Sequence, residues 1–240
     1  MSDNNSSSKQ PWIIAIALVA IPAFASIAVE WVKKPHQPTQ QASTSIPAPS
    51  ATNSPSSSPK EIAKEWRQKA RQILPPRSGK LDHAKGLVNV ETLGLNERNI
   101  IIEATFYNPY DTDIGDWSYG FVFRRIQKSD VSDTFDLFVQ SNNSSYVLHN
   151  SRQEGYRAAK EAGSVPNLDL SPHGSNKISA YIKDGEALLF VNDKYIKTLD
   201  VSSLTANGDV GVAANFNVEG IQGKSTRYLD LVVYSLNAVE

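Results

Sequence analysis

Chemistry in this chain would have to come from oxygen and nitrogen side chains, because the 240 residues include no cysteine. Thiolate nucleophiles, disulfides and thiolate metal sites are thereby excluded, and the redox compartment is left open. The densest carboxylate group is Asp111-Thr-Asp113-Ile-Gly-Asp116. Three hard oxygens in one loop suit Ca²⁺, although the spacing and bidentate Glu of an EF-hand are missing. The competing reading is an Asp-rich turn whose carboxylates accept from their own backbone amides. His36, His83, His149 and His173 are scattered without metal-ligand spacing, which favours ordinary polar roles. Serine is abundant but stands in no Gly-x-Ser-x-Gly elbow. Apart from that Asp loop, no cofactor is implied.

The side chains that could recognise a ligand sit on strands. Lys177–Lys183 alternates, with Ile178, Ala180 and Ile182 on one face and Tyr181 on the other; a period of two marks a half-buried strand. Asp184-Gly185 and Asn192-Asp193 separate this run from Glu186–Val191 and Lys194–Asp200. Both dipeptides tolerate positive φ, so a three-stranded meander with two-residue turns is predicted. In Trp117–Arg125 the aromatics Trp117, Tyr119, Phe121 and Phe123 alternate with Ser118, Gly120, Val122 and Arg124. Carried along the strand, the alternation turns Arg124 away from the core. Arg124, Tyr181, Asp136 and Tyr146 would then line a groove, with Trp117 and Tyr110 at its rim. A central-strand Arg that cannot reach water must find a carboxylate or a ligand, and Asp136 is the nearest candidate for an ion pair.

Further strands are predicted at Leu87–Leu93, Ile100–Phe106, Thr134–Gln140, Ser145–His149, Gly208–Asn215 and Thr226–Leu236. Asn150–Asn176 reads as a long polar excursion. About ten strands at this spacing mean an all-β antiparallel sandwich or barrel.

Ahead of the strands, residues 1–11 form a tail, and Trp12–Trp31 is apolar apart from Glu30. Some 20 such residues cross a bilayer as a helix, so residues 12–32 read as a transmembrane anchor, with a cleaved secretory signal as the alternative. Residues 33–58, rich in Ser, Thr, Pro and Gln, read as a disordered linker. Ser58-Pro59-Lys60-Glu61 opens an amphipathic helix over 59–74 with a capping box, closed by Pro75-Pro76. The helix either packs against the sandwich or lies on an anionic membrane. The sandwich domain is placed at 79–240. From Lys80 onward there are 15 Lys/Arg against 21 Asp/Glu, a mildly acidic balance that argues against a nucleic-acid partner.

The order Trp117-Ser-Tyr-Gly-Phe-Val-Phe-Arg124, Asn176-Lys-Ile-Ser-Ala-Tyr181, Leu189-Phe-Val-Asn192-Asp-Lys-Tyr-Ile196 and Gly208-Asp-Val-Gly-Val212 resembles the concanavalin A-like lectin/glucanase jelly roll, in its laminin G-like and 3-keto-disaccharide-hydrolase-like branch. The resemblance implies two packed, curved sheets with a concave face where glycans bind, Ca²⁺-shaped loops in some relatives, and an extracytoplasmic setting on anchored proteins. It also implies a test for hydrolysis, since the glucanases carry a compact Glu-x-Asp-x-(x)-Glu run. Here Glu91, Glu97 and Glu103 are too far apart, and Asp133 and Asp136 lack a third member. The expected function is therefore a membrane-anchored, extracytoplasmic, non-catalytic module for carbohydrate or a cell-envelope component. The alternatives are a structural or protein-interaction domain, and a sugar-acting hydrolase with an unrecognised site.

Overall fold

A computed structural model describes residues 57–83, 88–128, 131–151, 157–216 and 223–237. The expectations for the tail, the apolar segment 12–32 and nearly all of the linker lie outside those residues. Among the described residues, no helix is long and apolar enough to cross a membrane.

Among the described residues one α-helix, α1 (Pro59–Lys69), precedes twelve strands. Its start follows the sequence: Ser58 N–H donates to Glu61 Oε2 at 2.8 Å, and Glu61 N–H to Ser58 Oγ at 3.4 Å, a capping box with Pro at the first turn. The end differs from the expected Leu74. Ala70 is already extended, and Ile73 and Leu74 belong to β1 (Arg71–Asp82), packed against the main core. Pro75-Pro76 favours the extended end of this stretch, because a residue before proline prefers extended backbone. Proline also lacks a ladder donor, and an edge strand tolerates that loss.

The remaining strands are β2 (Val88–Thr92), β3 (Ile100–Tyr107), β4 (Trp117–Lys128), β5 (Val131–Gln140), β6 (Ser145–Ser151), β7 (Arg157–Ser164), β8 (Ser175–Lys183), β9 (Glu186–Val191), β10 (Lys194–Asp200), β11 (Asp209–Phe216) and β12 (Ser225–Ser235). They form two six-stranded sheets, in the orders β1-β12-β3-β8-β9-β10 and β2-β11-β4-β5-β6-β7. Every named pairing is antiparallel. The predicted meander is β8-β9-β10, and its second turn has positive φ at both Asn192 and Asp193, the backbone that matches strand twist. β7 was hidden inside the polar excursion. Its small residues give no bulky alternation, and at Gly163 Tyr146 lies so close that a Cβ would come within 2.7 Å of its ring.

Inward residues of both sheets make one core, including Ile102, Phe106, Tyr119, Phe121, Phe123, Leu137, Leu148, Ile178, Leu189 and Val233. Polar networks hold it at its two ends. At one end Tyr119 OH donates to Asn108 Oδ1 (2.9 Å) and accepts from Asn176 Nδ2 (2.8 Å), while Asn176 Oδ1 accepts from Asn192 Nδ2 (2.8 Å).

At the other end lies Arg124, which is 1% exposed. Between Phe123 and Ile126 the β4–β5 register gains one residue on β4, and Arg124 has φ 53°. This β-bulge breaks the alternation and turns the side chain inward. Its Nη1 donates to the carbonyls of Val201 (2.8 Å) and Leu204 (2.6 Å), its Nη2 to Asp184 O (2.6 Å) and its Nε to Arg98 O (3.2 Å). Arg124 therefore neither faces a groove nor pairs with Asp136. Burial, with the neighbouring Arg98, lowers its pKa to about 10 despite Asp184, so the guanidinium stays charged at neutral pH. Gly208 passes so close that a Cβ there would lie 2.5 Å from the Arg124 carbonyl carbon.

Arg124→Met leaves four backbone carbonyls without their donor, those of Val201 and Leu204 on buried residues. It is expected to lower unfolding stability by about 3 kcal/mol or more, measured by urea denaturation of the full chain followed by tryptophan fluorescence. A loss below about 1 kcal/mol would show that water replaces the guanidinium.

His83 is buried, with Nε2 3.2 Å from Thr226 Oγ1, and burial lowers its pKa from 6.5 to about 4 against the pull of Asp82. The unfolded chain therefore takes up this proton first as pH falls. His83 contributes its full share of stability above about pH 6.5, loses it progressively towards pH 4, and changes nothing further below that. Urea midpoints of wild type and His83→Gln at pH 7.5 and 4.5 should show the smaller pH dependence in the variant.

Candidate functional site

The residues singled out from the sequence do not meet in one place. Trp117 is a core residue stacked on Tyr119 at 4.8 Å, and Tyr110 is buried with its hydroxyl on Asp116 O at 2.9 Å. Tyr146 points inward, 3% exposed, and donates to Glu161 Oε1 at 3.2 Å. Its partner across the ladder is the inward Val139, so the pleat places it in the core. Asp136 does point away from that core. It shares the far face of its sheet with Val122, Phe138, Val147 and Ala213, which form a separate apolar cluster. Tyr181 is on the outer side of the other sheet.

The Asp loop turns on itself. Asp111 Oδ1 accepts from Asp113 N–H at 3.0 Å, and Asp116 Oδ1 accepts from the Ser141 hydroxyl at 3.4 Å. Among the described residues no group of three or more His, Asp or Glu is placed to hold a metal ion. Asp111 therefore follows the Asp-turn reading, while Asp116 is tied to Ser141 outside the loop.

Tyr181 lines a cavity, and α1 supplies one of its walls. The apolar stripe Ile62, Ala63 and Trp66 rests on Leu188, Phe190, Tyr181 and Tyr195, which project outward from β8, β9 and β10. Residues three and four apart share a helix face, so Lys60, Lys64 and Arg67 form a second, adjacent stripe. That stripe is one wall of a groove of about 320 Å³, and Glu103, Lys177, Ser179, Tyr181, Phe190 and Asp193 supply the other. An 11-residue helix is about 16 Å long, too short to cover the sheet, and the groove is what it leaves open.

Charge and ring contacts fix the walls. Arg67 pairs with Glu103 at 2.9 Å, and its guanidinium lies 3.6 Å from the centre of the Tyr234 ring, a cation–π contact. Tyr181 OH donates to Glu103 Oε1 at 3.3 Å, and its ring meets Phe190 edge-on at 5.4 Å. Burial, and then the Glu103 charge, push the Tyr181 hydroxyl up to about 12, so it remains a neutral donor. Lys177 pairs with Asp193 at 2.8 Å. The groove therefore offers an aromatic floor, a held phenol, carboxylate acceptors and ammonium donors. The sequence pointed to Tyr181 and to the helix, but not to Glu103 or Phe190, which reach the site only through the β3-β8-β9 order.

Ala63→Glu would place a carboxylate at the buried helix contact. The expected outcome is undocking of α1, seen as tryptic cleavage within 60–69 accelerated by about tenfold or more, with the cooperative unfolding of the sandwich retained.

No family model matches the chain, and no curated protein matches it in sequence. By structure it is similar to part of a fructosyltransferase from A. japonicus, at 11% identity and a TM-score of 0.54, over 74% of this chain and 28% of that one. It is also similar to part of a β-fructofuranosidase from Aspergillus kawachii, at 10% identity and a TM-score of 0.51, over 75% and 29%. The chain thus spans under a third of the length of either enzyme. The carbohydrate-binding module CBM66 from Bacillus subtilis aligns at 8% identity and a TM-score of 0.49, over 70% and 96%. At these identities the shared property is the two-sheet antiparallel sandwich.

Proposed function

We propose that this chain is a non-catalytic carbohydrate-binding module whose site is the groove between α1 and the outer face of β3, β8 and β9. The observation that carries this reading is the groove's composition, in which Tyr181 and Phe190 form an aromatic floor bordered by Glu103, Ser179 and Lys177. Sugars present apolar C–H faces and rings of hydroxyls. A site for them combines aromatic contact with a few fixed polar groups. The names of the fructosyltransferase and the β-fructofuranosidase place those proteins in sugar chemistry, which favours the reading, as does the jelly-roll resemblance of the strand motifs.

Glu103 is engaged by Arg67 and Tyr181, and Asp193 by Lys177. The two carboxylates are thus structural acceptors, not a poised acid and nucleophile, which favours binding over hydrolysis. Residues 12–32 would anchor the chain in a membrane, and the linker 33–58 would lead directly into α1 on the extracytoplasmic side.

A glycan array probed with the full chain in a polyoxyethylene detergent should retain a defined subset of sugars. Tyr181→Ala should weaken that retention about tenfold, with the sandwich still unfolding cooperatively. Retention unaffected by Tyr181→Ala would move the site elsewhere, and an empty array would remove the carbohydrate reading.

A further inference from the structure

We infer that the ligand of this groove carries negative charge, as an acidic sugar with a carboxylate, sulfate or phosphate substituent. The inference rests on the groove being a sugar site and names the class of sugar. Four cationic side chains line it, Lys60, Lys64, Arg67 and Lys177, against two carboxylates, Glu103 and Asp193. Both carboxylates are already matched, Glu103 by Arg67 at 2.9 Å and Asp193 by Lys177 at 2.8 Å. Among the described residues no carboxylate lies within ion-pairing distance of Lys60 or Lys64. The helix's own acids are turned to other tasks, Glu61 to the cap and Glu65 to Lys69 at 2.6 Å.

Lys60 and Lys64 thus give the groove an uncompensated charge of two, although the chain as a whole carries −1. Low-dielectric walls concentrate such a field and raise the local concentration of an anion. Spacing adds to the argument. Lys60 and Lys64 are four residues apart on one helix face, and the adjacent stripe is consumed by packing on Leu188 and Phe190. Two like charges at i and i+4 repel each other and cost the isolated helix a few tenths of a kcal/mol. A bound anion between them reverses that sign. The ring floor of Tyr181 would meet the sugar's C–H face, while the two ammonium groups reach its acidic substituent from the helix side.

Calorimetric titration of the full chain in polyoxyethylene detergent compares trigalacturonate with the uncharged maltotriose. Trigalacturonate is expected to bind at least tenfold more tightly, with the difference shrinking between 50 and 500 mM NaCl. Lys60→Gln/Lys64→Gln should erase that preference, and Lys60→Arg/Lys64→Arg should keep it. Tyr181→Ala should weaken both sugars, because it removes the shared ring contact. Equal binding of the two trisaccharides, or trigalacturonate binding untouched by the lysine pair, overturns the charge inference and leaves the carbohydrate reading standing. No binding of either sugar overturns the charge inference, and the glycan array then decides the carbohydrate reading.

Discussion

The structure depends on a buried guanidinium. Taking Arg124 out of water is costly unless its donors are met, and four of its hydrogen bonds are met by backbone carbonyls from Arg98, Asp184, Val201 and Leu204. Those carbonyls come from three separate segments: the approach to β3, the β8–β9 turn and the loop after β10. One side chain on β4 thereby ties down the loops of the opposite sheet, that of β3, β8, β9 and β10. A carboxylate partner would satisfy the charge as well, but it would fix only one segment. The carbonyl solution converts a single charge into a brace for the whole end of the sandwich, and it demands a glycine at 208 where β11 begins.

The opposite end is closed by a neutral network around Asn176, with Tyr119, Asn108 and Asn192. Its long edges are joined by ion pairs, Lys160–Asp200 at 2.9 Å between β7 and β10, and Arg77–Glu91 between β1 and β2. Exposed pairs of this kind add little stability individually. Their placement still matters, because they sit where unpaired strand edges would otherwise invite a further strand. With the interior and edges committed in this way, recognition is left to the outer faces.

On one of those faces α1 makes the difference. A bare sheet offers rows of side chains but little concavity, and a short helix laid along part of it creates a wall. The helix can do this because its two stripes divide the work. Ile62, Ala63 and Trp66 attach it to Phe190 and Leu188, and Lys60, Lys64 and Arg67 face the opening. The Arg67 contacts with Glu103 and Tyr234 lock its position.

Local patterns were enough to establish the all-β class, the β8-β9-β10 meander with its Asn192-Asp193 turn, the helix start at Ser58 and the inward set Ile178, Ala180 and Ile182. Each is written in neighbouring residues, through a period of two, a tolerance for positive φ or a capping box. Asp136 outward and Phe121 inward were legible for the same reason. The orientation of Arg124 was not, because one inserted residue on β4 reverses the face and its cause lies in strands far away in sequence. Tyr146, Trp117 and Tyr110 went into the core because an aromatic suits either a sugar platform or an interior, and only the opposing sheet decides which. β7 was invisible because its small residues give no bulky alternation, and its Gly163 answers to Tyr146 on the neighbouring strand. The groove itself needed tertiary structure: Glu103, Tyr181 and Lys64 are distant along the chain, and strand order and helix docking alone bring them to one place.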